Sequence, residues 1–181
     1  SWIAKSNIES GIGYTDINYT LPDLHINQII VDGDKPDCTA LSLTERRNAR
    51  RDSLEVRCKS AADLVNNSDE QWLVWCDLNA ESDTLSRLID DSVNVQGSDS
   101  LEHKSRAMKE FADGKLKCLI TKLTIAGYGM NWQNCHNVIF VGLSDSFEAY
   151  YQSVRRCWRF GQKECVNCQP KSDRQICSVQ W

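Results

Sequence analysis

No apolar run in this 181-residue chain approaches the roughly 18 consecutive residues that a membrane-spanning helix needs, so no membrane contact is expected. Positive charge is not in excess either. Lys and Arg number 21 against 25 Asp and Glu, a formal net charge of −4, so the whole-chain balance does not mark a nucleic-acid binder. Any such role must rest on local patches. Internal repeats and low-complexity tracts are missing. The first residues, Ser1 to Lys5, lack the basic segment and apolar stretch of a secretory signal. The three histidines, His25, His103 and His136, stand apart and form no metal-ligand spacing, and His136 is read as structural. What the chain does contain is 41% hydrophobic and 25% charged residues, enough to build the core of one domain, or one domain with an appendage. Nine scattered cysteines, an odd number, fit a reducing compartment better than a disulfide framework, and a cytoplasmic location is expected.

Residues 1–40 show little periodicity, with turn signals at Gly11 to Gly13 and Asp32 to Pro36, and between them the short β-branched run Ile26 to Val31 predicts a strand. One long helix is expected over 42–66, opened by Ser42 and Glu45 as a capping box. Leu43, Leu54, Ala61, Leu64 and Val65 form its apolar stripe, and Arg46, Arg47, Arg50, Arg51 and Arg57 its polar side. Those arginines suit a solvated face, with phosphate contact as the alternative.

From residue 70 the pattern becomes regular. Trp72 to Cys76 is a continuous apolar run, the mark of a strand buried on both faces. Helices follow over 79–89, 100–111 and 145–158, and strands over 93–95, 116–121 and 137–141. Strands alternating with helices predict an α/β fold with a mostly parallel sheet. The residues after Lys163, with Gln169 to Asp173 polar and turn-like, read as a tail.

Two stretches carry the chemistry. Gln152 to Gln162 places three arginines, Arg155, Arg156 and Arg159, within five residues. Arg156 and Arg159 are three apart, so on a helix they share a face, and two planar guanidiniums aimed together suit a triphosphate. A solvated surface helix is the competing reading. Thr121 to Trp132 leaves a strand into a loop with Gly127 and Gly129, whose backbone could approach phosphate. A lone Gly-x-Gly is weak, and the third glycine of a dinucleotide fingerprint is missing. Tyr128 and Trp132 beside it could stack on a base, although burial against the neighbouring strand is favoured.

Taken in order, these stretches resemble the C-terminal RecA-like domain of superfamily 2 helicases, and most of all the Swi/Snf-type helicase-like ATPases of phage and prophage. Thr121 to Asn131 matches motif V of the family and Gln152 to Gln162 its motif VI. Trp72 to Cys76 falls at the first strand and motif IV, and Gln96-Gly97-Ser98, Arg106 and Phe111 at the Gly-Ser turn and following helix. Leu21-Pro22, leading to Ile29 to Val31, looks like the link from a first domain.

The resemblance implies a RecA-like three-layer α/β/α domain over 41–163, preceded by a linker over 1–40 and followed by a tail over 164–181. It implies a second motor domain working with ATP and Mg²⁺ on double-stranded DNA, beside an N-terminal RecA-like domain of the same protein. Arg159 would be the arginine finger, with Arg156 as its partner and Gln152 positioning both. Gly127, Gly129 and Asn131 would shape the coupling loop, and Thr121 and Lys122 would face the DNA backbone. Lys122-Leu123 stands where relatives carry Arg-Ala. No Gly-x-x-x-x-Gly-Lys-[Ser/Thr] loop and no Asp-Glu-x-His motif occurs, and both belong to the family's first domain. The polypeptide therefore reads as half of an ATPase, inactive alone. The alternative is a non-catalytic RecA-like module for nucleic acid or protein, with a zinc tail held by Cys165, Cys168, Cys157 and Cys177.

Overall fold

Fully apolar runs need cover on both faces, and the chain supplies it with helices on each side of a parallel sheet. The computed structural model describes residues 20–31, 42–126, 130–143 and 146–173. The strands are β1 (Leu24–Ile26), β2 (Ile29–Val31), β3 (Trp72–Cys76), β4 (Ser92–Val95), β5 (Cys118–Lys122), β6 (Asn137–Phe140) and β7 (Val166–Asp173). The helices are α1 (Leu43–Asp52), α2 (Leu54–Asn66), α3 (Asn79–Leu88), α4 (Leu101–Ala112), the single turn α5 (Leu123–Ala126) and α6 (Phe147–Cys157). The sheet order is β1-β7-β6-β3-β5-β4, with β2 also on β7, and every pairing is parallel. Among the described residues no helix is long and apolar enough to cross a membrane.

Side-chain alternation divides the core in two. Trp72, Val74, Cys76, Ile120 and Ile139 face α2 and α3. Leu73, Trp75, Leu119, Val138 and Phe140 face α4, α6 and Trp132. Aromatic rings fill the second layer, with Trp132 edge-on to Phe111 at 5.5 Å and Phe140 against Tyr150 at 4.9 Å. Burial of Trp132 settles its expected role as core. The helices begin as their sequences direct. Ser42 and Glu45 make the capping box, while Ser100 and Ser146 each accept a backbone N–H of the first turn.

Three expectations need correction. The long helix is two, because Ser53 departs from helical geometry between α1 and α2. Ser53 Oγ donates to Ala49 O at 2.8 Å, a back-bond that competes with the helix ladder. Residues 166–173 are not a turn-like tail but the longest strand, flanked by β6 on one side and β1 and β2 on the other. The strand expected over 26–31 is present, split into β1 and β2, and both halves pair with β7. Arg57 is not solvated but 2% exposed, whereas the side chains of Arg46 and Arg47 lie outside the described residues.

The chain steps from β3 outward to β4, returns to β5, then crosses to β6 on the other side of β3. The sheet's topological switch point therefore lies at the carboxyl end of β3. Since β6 and β7 are parallel, α6 runs back between them and its last turn lies toward the amino ends of the strands.

Candidate functional site

The helix α6 stops at Cys157, sooner than the sequence periodicity implies, and Arg159 sits in the turn that follows. Trp158 N–H reaches back to Val154 O at 2.9 Å and Gln162 N–H to Arg159 O at 3.0 Å. Gly161, at φ +93°, lets this turn close, and a β-carbon there would lie 2.4 Å from Gln133 Oε1. The shared direction of Arg156 and Arg159 thus comes from a helix end plus a turn. Their Nη1 atoms donate to one acceptor, Met130 O, at 3.3 and 3.4 Å.

Met130 is the first described residue after the glycine loop. Next to it, Trp132 N–H donates to Arg156 O at 3.0 Å, so the loop's exit is pinned to the arginine helix. Burial and then the charge of Arg159 pull the Arg156 guanidinium below its ordinary pKa, although it remains a cation. Two cations held on a neutral carbonyl repel each other, and an anion between their planar forks relieves that repulsion.

Buried Gln162 braces the assembly. Its amide donates to Cys135 O at 3.0 Å and Cys157 O at 3.2 Å, and its carbonyl accepts from the N–H groups of Lys163 and Glu164. Gln162 closes the motif VI stretch, and its bracing role depends on partners outside that stretch as well as within it. A polar residue one position after a turn glycine was the available signal.

The other expected site residues fall into different places. Thr121 is buried on β5 and its hydroxyl donates to Val95 O at 3.3 Å, so it does not face DNA. That expectation is corrected: Thr121 ties two strands together. Lys122, half-buried, ends the same strand. Gln152 is exposed on α6, one turn before Arg156, and among the described residues its side chain is not hydrogen-bonded to either guanidinium, both of which donate to Met130 O. Asn131 is exposed and donates to Gln133 Oε1 at 3.3 Å. Gly127, Tyr128 and Gly129 lie outside the described residues. Arg155 turns from the pair and stacks over the Trp158 ring at 5.4 Å, whose indole N–H donates to Pro22 O at 2.7 Å. His136 Nε2 lies 3.5 Å from Glu70 Oε2.

The alternative of a zinc tail finds no four-thiolate arrangement among the described residues. Cys165 is exposed, while Cys157 and Cys168 are in the aromatic core layer, and Cys177 lies outside the described residues. Burial pushes the Cys168 thiol up to about 12, which disfavours the thiolate that zinc requires. No group of three His, Cys, Asp or Glu among the described residues is disposed to hold a metal.

Solved structures share this architecture. The C-terminal part of the Fun30 ATPase domain is similar at TM-score 0.58 and 19% identity, covering 65% of this chain and 41% of that one. T4 UvsW is similar at TM-score 0.65 and 18% identity, covering 89% of this chain and 35% of that one. The chain therefore spans less than half the length of either. No curated protein sequence matches it. The family model described as the helicase conserved C-terminal domain matches residues 57–161, more than half of the chain and the whole span from Arg57 to Gly161 described above. The chain belongs to the helicase C-terminal domain family, with the α/β RecA-like fold of that domain.

Proposed function

We propose that this chain is the second motor domain of a DNA-dependent, Swi/Snf-type ATPase, presenting Arg159 and Arg156 to a nucleotide held by an N-terminal RecA-like domain of the same protein. One observation carries the reading: both guanidiniums converge on Met130 O, at the exit of the glycine loop. Charge state and loop position are thereby mechanically linked. The donor set fits the phosphates of ATP, because two planar forks held at one point match the oxygens of a phosphoryl group. ATP supplies the phosphoanhydride whose cleavage drives the motor. Arg159 acts as the finger on developing charge, and Arg156 steadies it through the shared carbonyl. Carboxylates for Mg²⁺ and a lysine cradle are assigned to the first domain, since the sequence has neither motif.

Lys122, at the carboxyl end of β5, is the DNA-side residue of this half, contacting the phosphate backbone without reading bases. Double-stranded DNA is the assigned track. Two assays test the reading. The purified 181-residue chain should hydrolyse no ATP, with or without DNA, whereas the two-domain protein should. In the two-domain protein, Lys122→Ala should weaken DNA binding uniformly across sequences and lower the salt slope by about 1. DNA-stimulated turnover by the chain alone would contradict the assignment.

A further inference from the structure

A closed polar cluster lies in the core at the carboxyl ends of β3 and β6. Arg57 of α2 and Glu81 of α3 are 2% and 1% exposed and meet at 2.9 Å, Nη1 to Oε1. Arg57 Nη1 also donates to Val141 O and Nη2 to Arg50 O, while Nε donates to Ser53 Oγ at 3.2 Å. The second oxygen of Glu81 accepts from Asp77 N–H at 2.9 Å and Leu78 N–H at 3.1 Å. Gly142 passes so near that a β-carbon there would lie 2.2 Å from Glu81 Oε2 and 2.6 Å from Asp77 N.

The location gives this cluster its meaning. Asp77 and Leu78 form the turn from the central strand into a helix, at the switch point where open α/β sheets bind ligands. Amides so placed are donors for phosphate. Here a carboxylate of the same chain takes them. We infer that Glu81 and Arg57 are positioning residues that close this sheet's own anion nest: the Glu81 carboxylate fills it, Arg57 fixes the carboxylate, and Gly142 leaves the room it needs. The turn after β3 is thereby rigid and unavailable to phosphate. The residues suited to an external anion, Arg156 and Arg159, lie toward the opposite ends of the strands. That last consequence rests on the proposed function: a nucleotide contacted by this domain is bound by another one.

Glu81→Ala deletes a methylene and a carboxylate, the size and charge of acetate, so the vacancy can be refilled chemically. The test uses the chain as it stands, melted in sodium acetate and in sodium chloride of equal ionic strength, without ATP or DNA. Its failure is therefore separate from failure of the motor reading. The wild type should melt alike in both salts. Glu81→Ala should melt lower in chloride, rise with the logarithm of acetate concentration, and fold in acetate even where chloride leaves it unfolded. Amide exchange at Asp77 and Leu78 should quicken in the variant and slow again in acetate. A Glu81→Ala protein as stable as wild type, or no more responsive to acetate than wild type, would overturn the inference. A second route does not depend on that variant. Glu81→Gln should turn an N–H₂ toward Arg57, so the losses from Glu81→Gln and Arg57→Met should be clearly less than additive in the double variant. Simple additivity would contradict the coupling.

Discussion

Gly161 shows how much one residue of the arginine turn must satisfy. Its φ of +93° disfavours any side chain, and Gln133 occupies the space a β-carbon would enter. Gly161→Ala is expected to cost about 1–3 kcal/mol, read by urea unfolding, and Gln133→Ala should recover only the steric share. Lys171 makes a second prediction, concerning pH. Burial pulls its ammonium down from 10.5 to about 8, although Ser60 Oγ accepts from it at 3.2 Å. The unfolded chain therefore binds this proton more tightly than the folded one. The penalty is constant below the folded value and is relieved as pH climbs from about 8 toward 10.5. Lys171→Met should unfold at higher urea than wild type at pH 7, and this advantage should shrink near pH 10. An advantage that grows with pH would refute the sign.

Strands carry a comparable lesson about what a sequence displays. The runs at 72–76, 118–122 and 137–140 are legible because each is buried on both faces, which leaves an apolar stretch of at least three residues in every one. β7 is hidden because only one of its faces meets the aromatic layer. Val166 and Cys168 point there, while Asn167, Gln169 and Lys171 alternate toward α2. Pro170 adds a false stop signal. It stands opposite the break between β1, which pairs with 166–168, and β2, which pairs with 171–173, where a missing N–H costs least on that side. The arginine pair was legible as spacing, but its anchor was not. Nothing in residues 152–162 announces that Met130 O, reached through a loop, is the shared acceptor. Arg57 looks solvated in the sequence for a related reason, since its partner Glu81 is 24 positions away. Removing residues 165–181 should therefore strip β7 from between β1, β2 and β6, and abolish cooperative unfolding by circular dichroism. A sharp melt in the shortened chain would show that β7 is dispensable. Burial in the two core layers predicts thiol behaviour. Cys165 is exposed, whereas burial pushes Cys58 and Cys168 up to about 12. Under native conditions, peptide mapping after alkylation should find Cys165 labelled well before those two.

At the scale of the molecule, the handling of negative charge is divided between the two ends of the sheet. The carboxyl-end nest holds the chain's own carboxylate, and the arginine pair stands toward the amino ends on a loop exit. Under the proposed function, a domain built this way assists phosphate chemistry at a neighbour and not at its own switch point. The most direct measurement of that claim is ATP turnover by the two-domain protein carrying Arg159→Ala, compared with Arg155→Ala and Arg159→Lys. A finger acts where charge develops, so Arg159→Ala should lower turnover by about 10³-fold or more, with DNA affinity, nucleotide affinity and melting temperature nearly unchanged. Arg159→Lys should restore little, because an ammonium cannot reproduce the planar fork. Arg155→Ala, which loses only its stacking on Trp158, should stay close to wild type. Near-normal turnover for Arg159→Ala, or equal losses at Arg155 and Arg159, would contradict the account.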